Sequence, residues 1–151
     1  MKIALIAVGR ARRDEAAALF AHYAKRIRAT IDIREVPEAK GRTAAERMER
    51  EGAEIARSVP KNAVVVALDP RGKTMTSEAF AAFVGKTADS GRGLALVIGG
   101  ADGLADAVRE RADLVLSLGA MTWPHLLVRA MVAEQIYRAE TILAGHPYHR
   151  A

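Results

Sequence analysis

Leu94-Ala95-Leu96-Val97-Ile98 runs without a polar break into Gly99-Gly100-Ala101-Asp102-Gly103. Five consecutive apolar residues suit a strand covered on both faces, as in a parallel sheet dressed with helices. Ile3 to Val8 and Val64 to Leu68 read the same way. With two less uniform runs, the expected strands are 2–8, 31–36, 63–68, 93–98 and 113–117. Helical patterns lie between them. Ala16, Phe20, Tyr23, Ala24 and Ile27 share one face, and a second helix runs from Thr43 to about Ser58. There Thr43 and Glu46 have capping-box spacing. A third helix starts after Thr76 or Ser77, carries Phe80 and Phe83, and stops before Gly91-Arg92-Gly93. A short fourth fits 104–111. The alternation predicts an α/β fold: a mainly parallel sheet with helices on both faces, in one domain spanning 1–151.

Half of the residues are hydrophobic, enough for a real core, and 23 Lys and Arg stand against 18 Asp and Glu. The net charge of +5 favours polyanionic partners only mildly. Without cysteine, disulfides and thiolate zinc sites are excluded, and a cytoplasmic location is the natural expectation. The apolar run at the N-terminus is too short to span a membrane. Arg10, Arg12, Arg13, Asp14 and Glu15 follow where a signal peptide would need small residues. The connection from Pro37 to Arg42 reads as a basic loop.

The last helix is expected from about Pro124 to Ala144, with Pro124 in its first turn and Gly145 and Pro147 ending it. It has two apolar stripes: Val128, Val132, Ile136, Ala139 and Leu143, then Leu126, Ala130, Ala133 and Tyr137. One stripe serves the sheet. The second is left for a partner subunit or for another element of the same chain.

In an open α/β sheet, ligands bind beyond the carboxyl ends of the strands. Three segments end there: Leu68-Asp69-Pro70, the glycine loop 99–103, and Gly119-Ala120-Met121-Thr122-Trp123-Pro124. The glycine spacing fits neither the dinucleotide fingerprint nor a Walker loop. Small residues with Thr122, walled by Met121, Trp123 and Leu68, would suit an adenine ring. A plain turn and a core tryptophan are the competing readings. In the tail His146-Pro147-Tyr148-His149-Arg150, Tyr148 offers a stacking face and Arg150 a phosphate contact, unless the terminus is simply frayed. His146 and His149 have no third ligand nearby in sequence, so no metal is expected. The lack of a dense carboxylate cluster disfavours a metal-dependent phosphate-ester hydrolase.

In order and identity these motifs resemble the RlmH family of bacterial ribosomal RNA methyltransferases, within the SPOUT superfamily. The likeness spans the chain, from Met1-Lys2-Ile3 and Ala7-Val8-Gly9 through Val66-Ala67-Leu68-Asp69, Gly72-Lys73, Ile98-Gly99-Gly100 and Gly103-Leu104. It is densest in Ser117-Leu118, Met121-Thr122, Pro124-His125, Val128-Arg129, Glu134-Gln135, Tyr137-Arg138-Ala139 and Pro147-Tyr148-His149. Gly119 stands where many relatives have serine, and Ala101-Asp102 where a Pro-Glu pair is frequent.

The resemblance implies a C-terminal trefoil knot, a homodimer, and S-adenosyl-L-methionine held by Leu68, Gly100, Gly119, Ala120, Met121, Thr122, Trp123 and Pro124. It implies methylation at N3 of a pseudouridine in large-subunit ribosomal RNA within the assembled ribosome. An imide N–H attacks only once its proton is lost, so a base or an anion-stabilising environment is expected. His149 and Tyr148 are the candidate bases, with Arg150 and Arg138 stabilising charge or anchoring phosphate. The alternative is a non-catalytic RNA- or ribosome-binding module.

Overall fold

The computed structural model describes residues 1–150, so Ala151, the last position of the expected domain, lies outside the described residues. The elements alternate strictly: β1 (Lys2–Val8), α1 (Glu15–Ala24), β2 (Thr30–Val36), α2 (Ala44–Ser58), β3 (Val64–Lys73), α3 (Ser77–Asp89), β4 (Leu94–Ile98), α4 (Asp106–Arg111), β5 (Leu114–Leu116) and α5 (His125–Leu143). A 3-10 turn, Pro147–His149, follows. The strands lie in the order β2-β1-β4-β3-β5. Every pairing is parallel, so the sheet is wholly rather than mainly parallel.

Side-chain alternation explains the unbroken apolar runs. Ile3, Leu5 and Ala7 of β1 point into one core with Val66, Leu96, Phe80, Val84 and Ile136, beneath α1, α3 and α5. Ala4, Ile6 and Val8 point the other way, onto Ile55 of α2 and beside Val108 of α4. Both faces of β1, β3 and β4 are therefore dry, and neither set of positions tolerates a polar residue.

The caps follow the sequence with one twist. Thr43 accepts from the amide of Glu46 (3.1 Å), but the Glu46 carboxylate reaches back to the amide of Arg42 (2.9 Å) rather than to Thr43. Thr76 caps α3 in the same manner, and Asp14 caps α1. Pro124 stands at the N-cap of α5 with an extended ψ of 134°, so His125 and not Pro124 begins the first turn. Gly145, at φ +69°, ends the helix.

One open alternative is decided and one expectation changes. Ala130 and Ala133, on the second stripe of α5, are buried within the chain, as are Val132, Ile136 and Ala139 of the first. α5 is sunk between α1 and α3, so its stripes require no partner subunit. The third strand does not stop at Leu68. It departs from β5 after the Leu68–Leu116 pair and rejoins it at Lys73, which faces the same Leu116. Asp69, Pro70, Arg71 and Gly72 form an excursion from the sheet at its carboxyl edge.

Candidate active site

Because all strands run in one direction, the ends of β3, β4 and β5 open on one edge. There the 69–72 excursion, the glycine loop 99–103 and the loop after β5 enclose a crevice of about 360 Å³. Of the cofactor residues expected from sequence, Leu68, Gly100, Gly119, Met121, Thr122 and Trp123 line it, while Ala120 and Pro124 belong to the same loop but do not. Trp123 is no core residue. It is 40% exposed, and its Nε1 donates to the Leu118 carbonyl (3.3 Å), which fixes the indole as a wall. Met121 is 74% exposed at the mouth. Gly119, at φ +112°, turns the chain in a way that a serine would adopt only with strain.

The crevice is braced by groups far apart in sequence. His125 Nδ1 lies 3.0 Å from the Gly99 carbonyl, which can only accept, so Nδ1 carries the proton. Nε2 is then an acceptor and faces Arg129 Nη2 at 3.3 Å. Burial, then the Arg129 charge, lower the pKa of this ring, with the Gly99 hydrogen bond, Glu38 and Glu35 opposing; the imidazole stays neutral at neutral pH. Arg129 is itself buried. It donates to the Gly9 carbonyl (2.9 Å) and to Glu35 (3.3 Å), leaving its Nε without a partner among the described residues. The first two turns of α5 thus tie the ends of β1, β2 and β4 together.

Asp69 braces the other side. Burial alone would raise its pKa, but hydrogen bonds from the Arg71 side chain and amide, with the charges of Arg71 and Arg109, reverse this and hold it below the usual carboxylate range. Behind the glycine loop, Glu51 of α2 is buried, and a Cβ on Gly100 would lie 3.1 Å from its Oε2 and 2.9 Å from Val8 Cγ1. Burial, then the Asp102 carboxylate, push the Glu51 pKa up. Asp69, Glu51, His125 and Arg129 were not among the sequence candidates. Asp69, directly after a dry strand, and His125 and Arg129 fall in motifs that carry the family resemblance, but nothing in them marks a bracing role; Glu51 carries no local signal.

The four expected catalytic residues gather elsewhere. The tail is not frayed: its 3-10 turn packs on α5, with the Tyr148 ring edge-on to Tyr137 (4.6 Å between centroids) and beneath the Arg138 guanidinium (5.0 Å). Glu134 accepts from the Tyr148 hydroxyl (3.1 Å) and from Arg138 (2.6 Å). Burial, then the Tyr23 hydroxyl and Glu134, raise the phenol's pKa, which disfavours Tyr148 as a base in this arrangement. His146 Nδ1 accepts from the Tyr148 amide (3.2 Å), so it serves the turn. His149 Nδ1 is buried without a partner among the described residues. None of Arg138, Tyr148, His149 and Arg150 lines the crevice of their own chain.

A family model described as "Predicted SPOUT methyltransferase" matches residues 1–149. The chain belongs to the SPOUT methyltransferase family. Among its relatives, "Ribosomal RNA large subunit methyltransferase H" of Rhodospirillum centenum is 54% identical over 153 residues, covering all of both chains. SPOUT-type folds also recur among solved structures. TrmJ from Z. mobilis aligns with a TM-score of 0.59 at 17% identity over 98% of this chain and 82% of its own. The SpoU methyltransferase AviRb from Streptomyces viridochromogenes, in complex with AdoMet, aligns with a TM-score of 0.50 at 15% identity. That match covers 92% of this chain and 58% of AviRb. In this SPOUT member the crevice lies on the edge where such a sheet binds ligands.

Proposed function

We propose that this chain, as one domain over 1–151, uses S-adenosyl-L-methionine to methylate large-subunit ribosomal RNA at N3 of a pseudouridine in the assembled ribosome. The observation that carries the reading is the single crevice built by the loops after β3, β4 and β5. Its volume suits a small molecule, and its lining joins apolar walls to backbone, one hydroxyl and the side chains of Asp69, Arg71, Asp102 and His125. Met121 and Thr122 make no hydrogen bonds to other described residues, which leaves their polar groups for a ligand. The residues present fit the cofactor: Leu68, Met121 and Trp123 would flank its ring, while Gly100, Gly119 and Thr122 would offer polar contacts.

Bound there, S-adenosylmethionine supplies a methyl carbon on a sulfonium. The chain's task is to hold the nucleophile in line and to favour loss of the imide proton. With Tyr148 held protonated, His149 is the better candidate base, and Arg150 the better anchor for phosphate or anion.

A homodimer is part of the reading. The four tail residues lie away from their own chain's crevice, so a second copy would bring them to it. A neighbouring groove of about 540 Å³, lined by Leu19, Met75, Met131 and Glu134 among others, shares Leu118 and Gly119 with the crevice and would admit the partner. A trefoil knot in the C-terminal half and a cytoplasmic location also belong to the proposal. No helix among the described residues is long and apolar enough to cross a membrane.

The test is transfer of labelled methyl groups from S-adenosylmethionine to whole ribosomes, separated subunits and bare RNA, with mass mapping of the product nucleoside. Label in a pseudouridine of the large-subunit RNA is expected. Heat of cofactor binding with no transfer to any RNA, or no heat at all, would leave a non-catalytic RNA-binding module instead.

A further inference from the structure

Strand order puts the ends of β2 and β1 beside those of β4, β3 and β5 on the same edge. The crevice takes one half of that edge. The other half is made by the loop after β1, with Arg10, Arg12 and Arg13, and the loop after β2, with Lys40 and Arg42. All five cations are exposed, and none pairs with a carboxylate among the described residues. Within 10–14 and 37–42 only Asp14 and Glu38 oppose them, so these eleven positions hold +3 of the chain's net +5. Glu38 sits beside Gly9, and three nearby acids are already engaged: Asp14 accepts from the Ala17 amide (2.9 Å), Glu35 from the Ala11 amide (2.6 Å), and Glu46 from the Arg42 amide (2.9 Å).

The backbones beneath these cations are fixed, and fixed to the crevice. Gly9 N donates to the Val36 carbonyl (2.8 Å), joining the two loops. Arg129, from the second turn of α5, donates to the Gly9 carbonyl (2.9 Å). Arg47 bridges the Gly41 carbonyl (3.1 Å) and Asp102 of the glycine loop (2.8 Å), and Arg50 holds the Lys40 carbonyl. Unpaired cationic tips on an anchored backbone, level with a crevice mouth, suit a phosphodiester strand passing across that mouth.

We infer that Arg10, Arg12, Arg13, Lys40 and Arg42 form a phosphate-binding rim that grips the RNA flanking the nucleotide presented to the crevice. The inference rests on the function proposed above. Phosphate contacts of this kind set register and orientation without reading bases.

The test measures binding of the full chain to purified bacterial ribosomes across about 50 to 200 mM salt, with S-adenosylmethionine present. Arg12→Gln/Arg13→Gln and Lys40→Gln/Arg42→Gln are compared with the parent and with Lys2→Gln/Lys61→Gln on the opposite edge. Each rim pair should weaken binding and flatten the slope of log affinity against log salt by about 1.5, at about 0.7–0.9 per phosphate contact. The opposite-edge pair should match the parent, and calorimetric heat with S-adenosylmethionine should be the same in all four proteins. Parental slopes in both rim variants, while the parent still methylates ribosomes, overturn the rim alone. Weaker binding at an unchanged slope also overturns it, since the lost contact is then not with phosphate. A parent that neither binds nor methylates ribosomes overturns the proposed function and the rim together.

Discussion

At His125 one ring serves two masters: Nδ1–H holds the Gly99 carbonyl, and Nε2 meets a guanidinium. A proton on Nε2 would set two cations face to face, so the brace depends on a neutral ring. The pKa of His125 is lowered on folding, by burial first and Arg129 second. The unfolded chain, near the ordinary value of about 6.5, therefore takes up the proton first. The stabilisation is complete above about pH 6.5 and is lost as pH falls through the folded value. Thermal melts and calorimetry with S-adenosylmethionine between about pH 7.5 and 5.5 should show both Tm and cofactor affinity falling toward the acid side. His125→Asn keeps a donor for Gly99 but cannot titrate. It should flatten that dependence and bind within a few-fold of the parent at pH 7.5; an equally steep profile would remove His125 as the cause. None of this was readable from sequence. The helix caps were, because a Thr and the amide three residues on are near neighbours, whereas His125 and Arg129 find partners 26, 94 and 120 positions away.

Among the elements, β3 shows most plainly where pattern reading stops. Its first half is dry on both faces and reads as a strand; after Leu68 the polar run Asp69-Pro70-Arg71 reads as its end. The chain nevertheless returns to β5, because Gly72 lets its backbone lie against Val115. A Cβ at 72 would sit 2.6 Å from the Val115 carbonyl oxygen and 2.9 Å from Leu116 N, both rigid backbone. Gly72→Ala should therefore cost about 1–3 kcal/mol, as overpacking does. Denaturant melts would show a lower midpoint at unchanged slope, and cofactor affinity should fall with it because the excursion walls the crevice. An unchanged midpoint would mean that the two backbones can part freely. α5 repeats the lesson in reverse. Its two stripes were plain in the sequence, but which surface met the second depended on α1 and α3 packing around it. Likewise the glycine loop could be placed at a strand end, while its support by Glu51 from α2 could not.

On the scale of the whole molecule, parallel strand direction does most of the organising, since it delivers every strand-end loop to one edge. It does not deliver the tail, which follows the last helix and is held at Glu134 by Tyr148 and Arg138. If a twofold dimer carries each tail to the other chain's crevice, two different defects should complement one another. Arg150→Ala removes the proposed anchor on the tail. Gly100→Val forces a Cβ against Val8 and Glu51 and should spoil the loop proposed to hold the cofactor. Each variant alone, checked by circular dichroism and for its oligomeric state, should fail to methylate ribosomes, and only Arg150→Ala should still give heat with S-adenosylmethionine. After unfolding and refolding an equimolar mixture, half of the dimers are mixed, and each mixed dimer pairs one intact crevice with one intact tail. Methyl transfer should then return to about a quarter of the parental rate. A tail acting on its own chain's crevice restores nothing, because no chain in the mixture carries both parts intact.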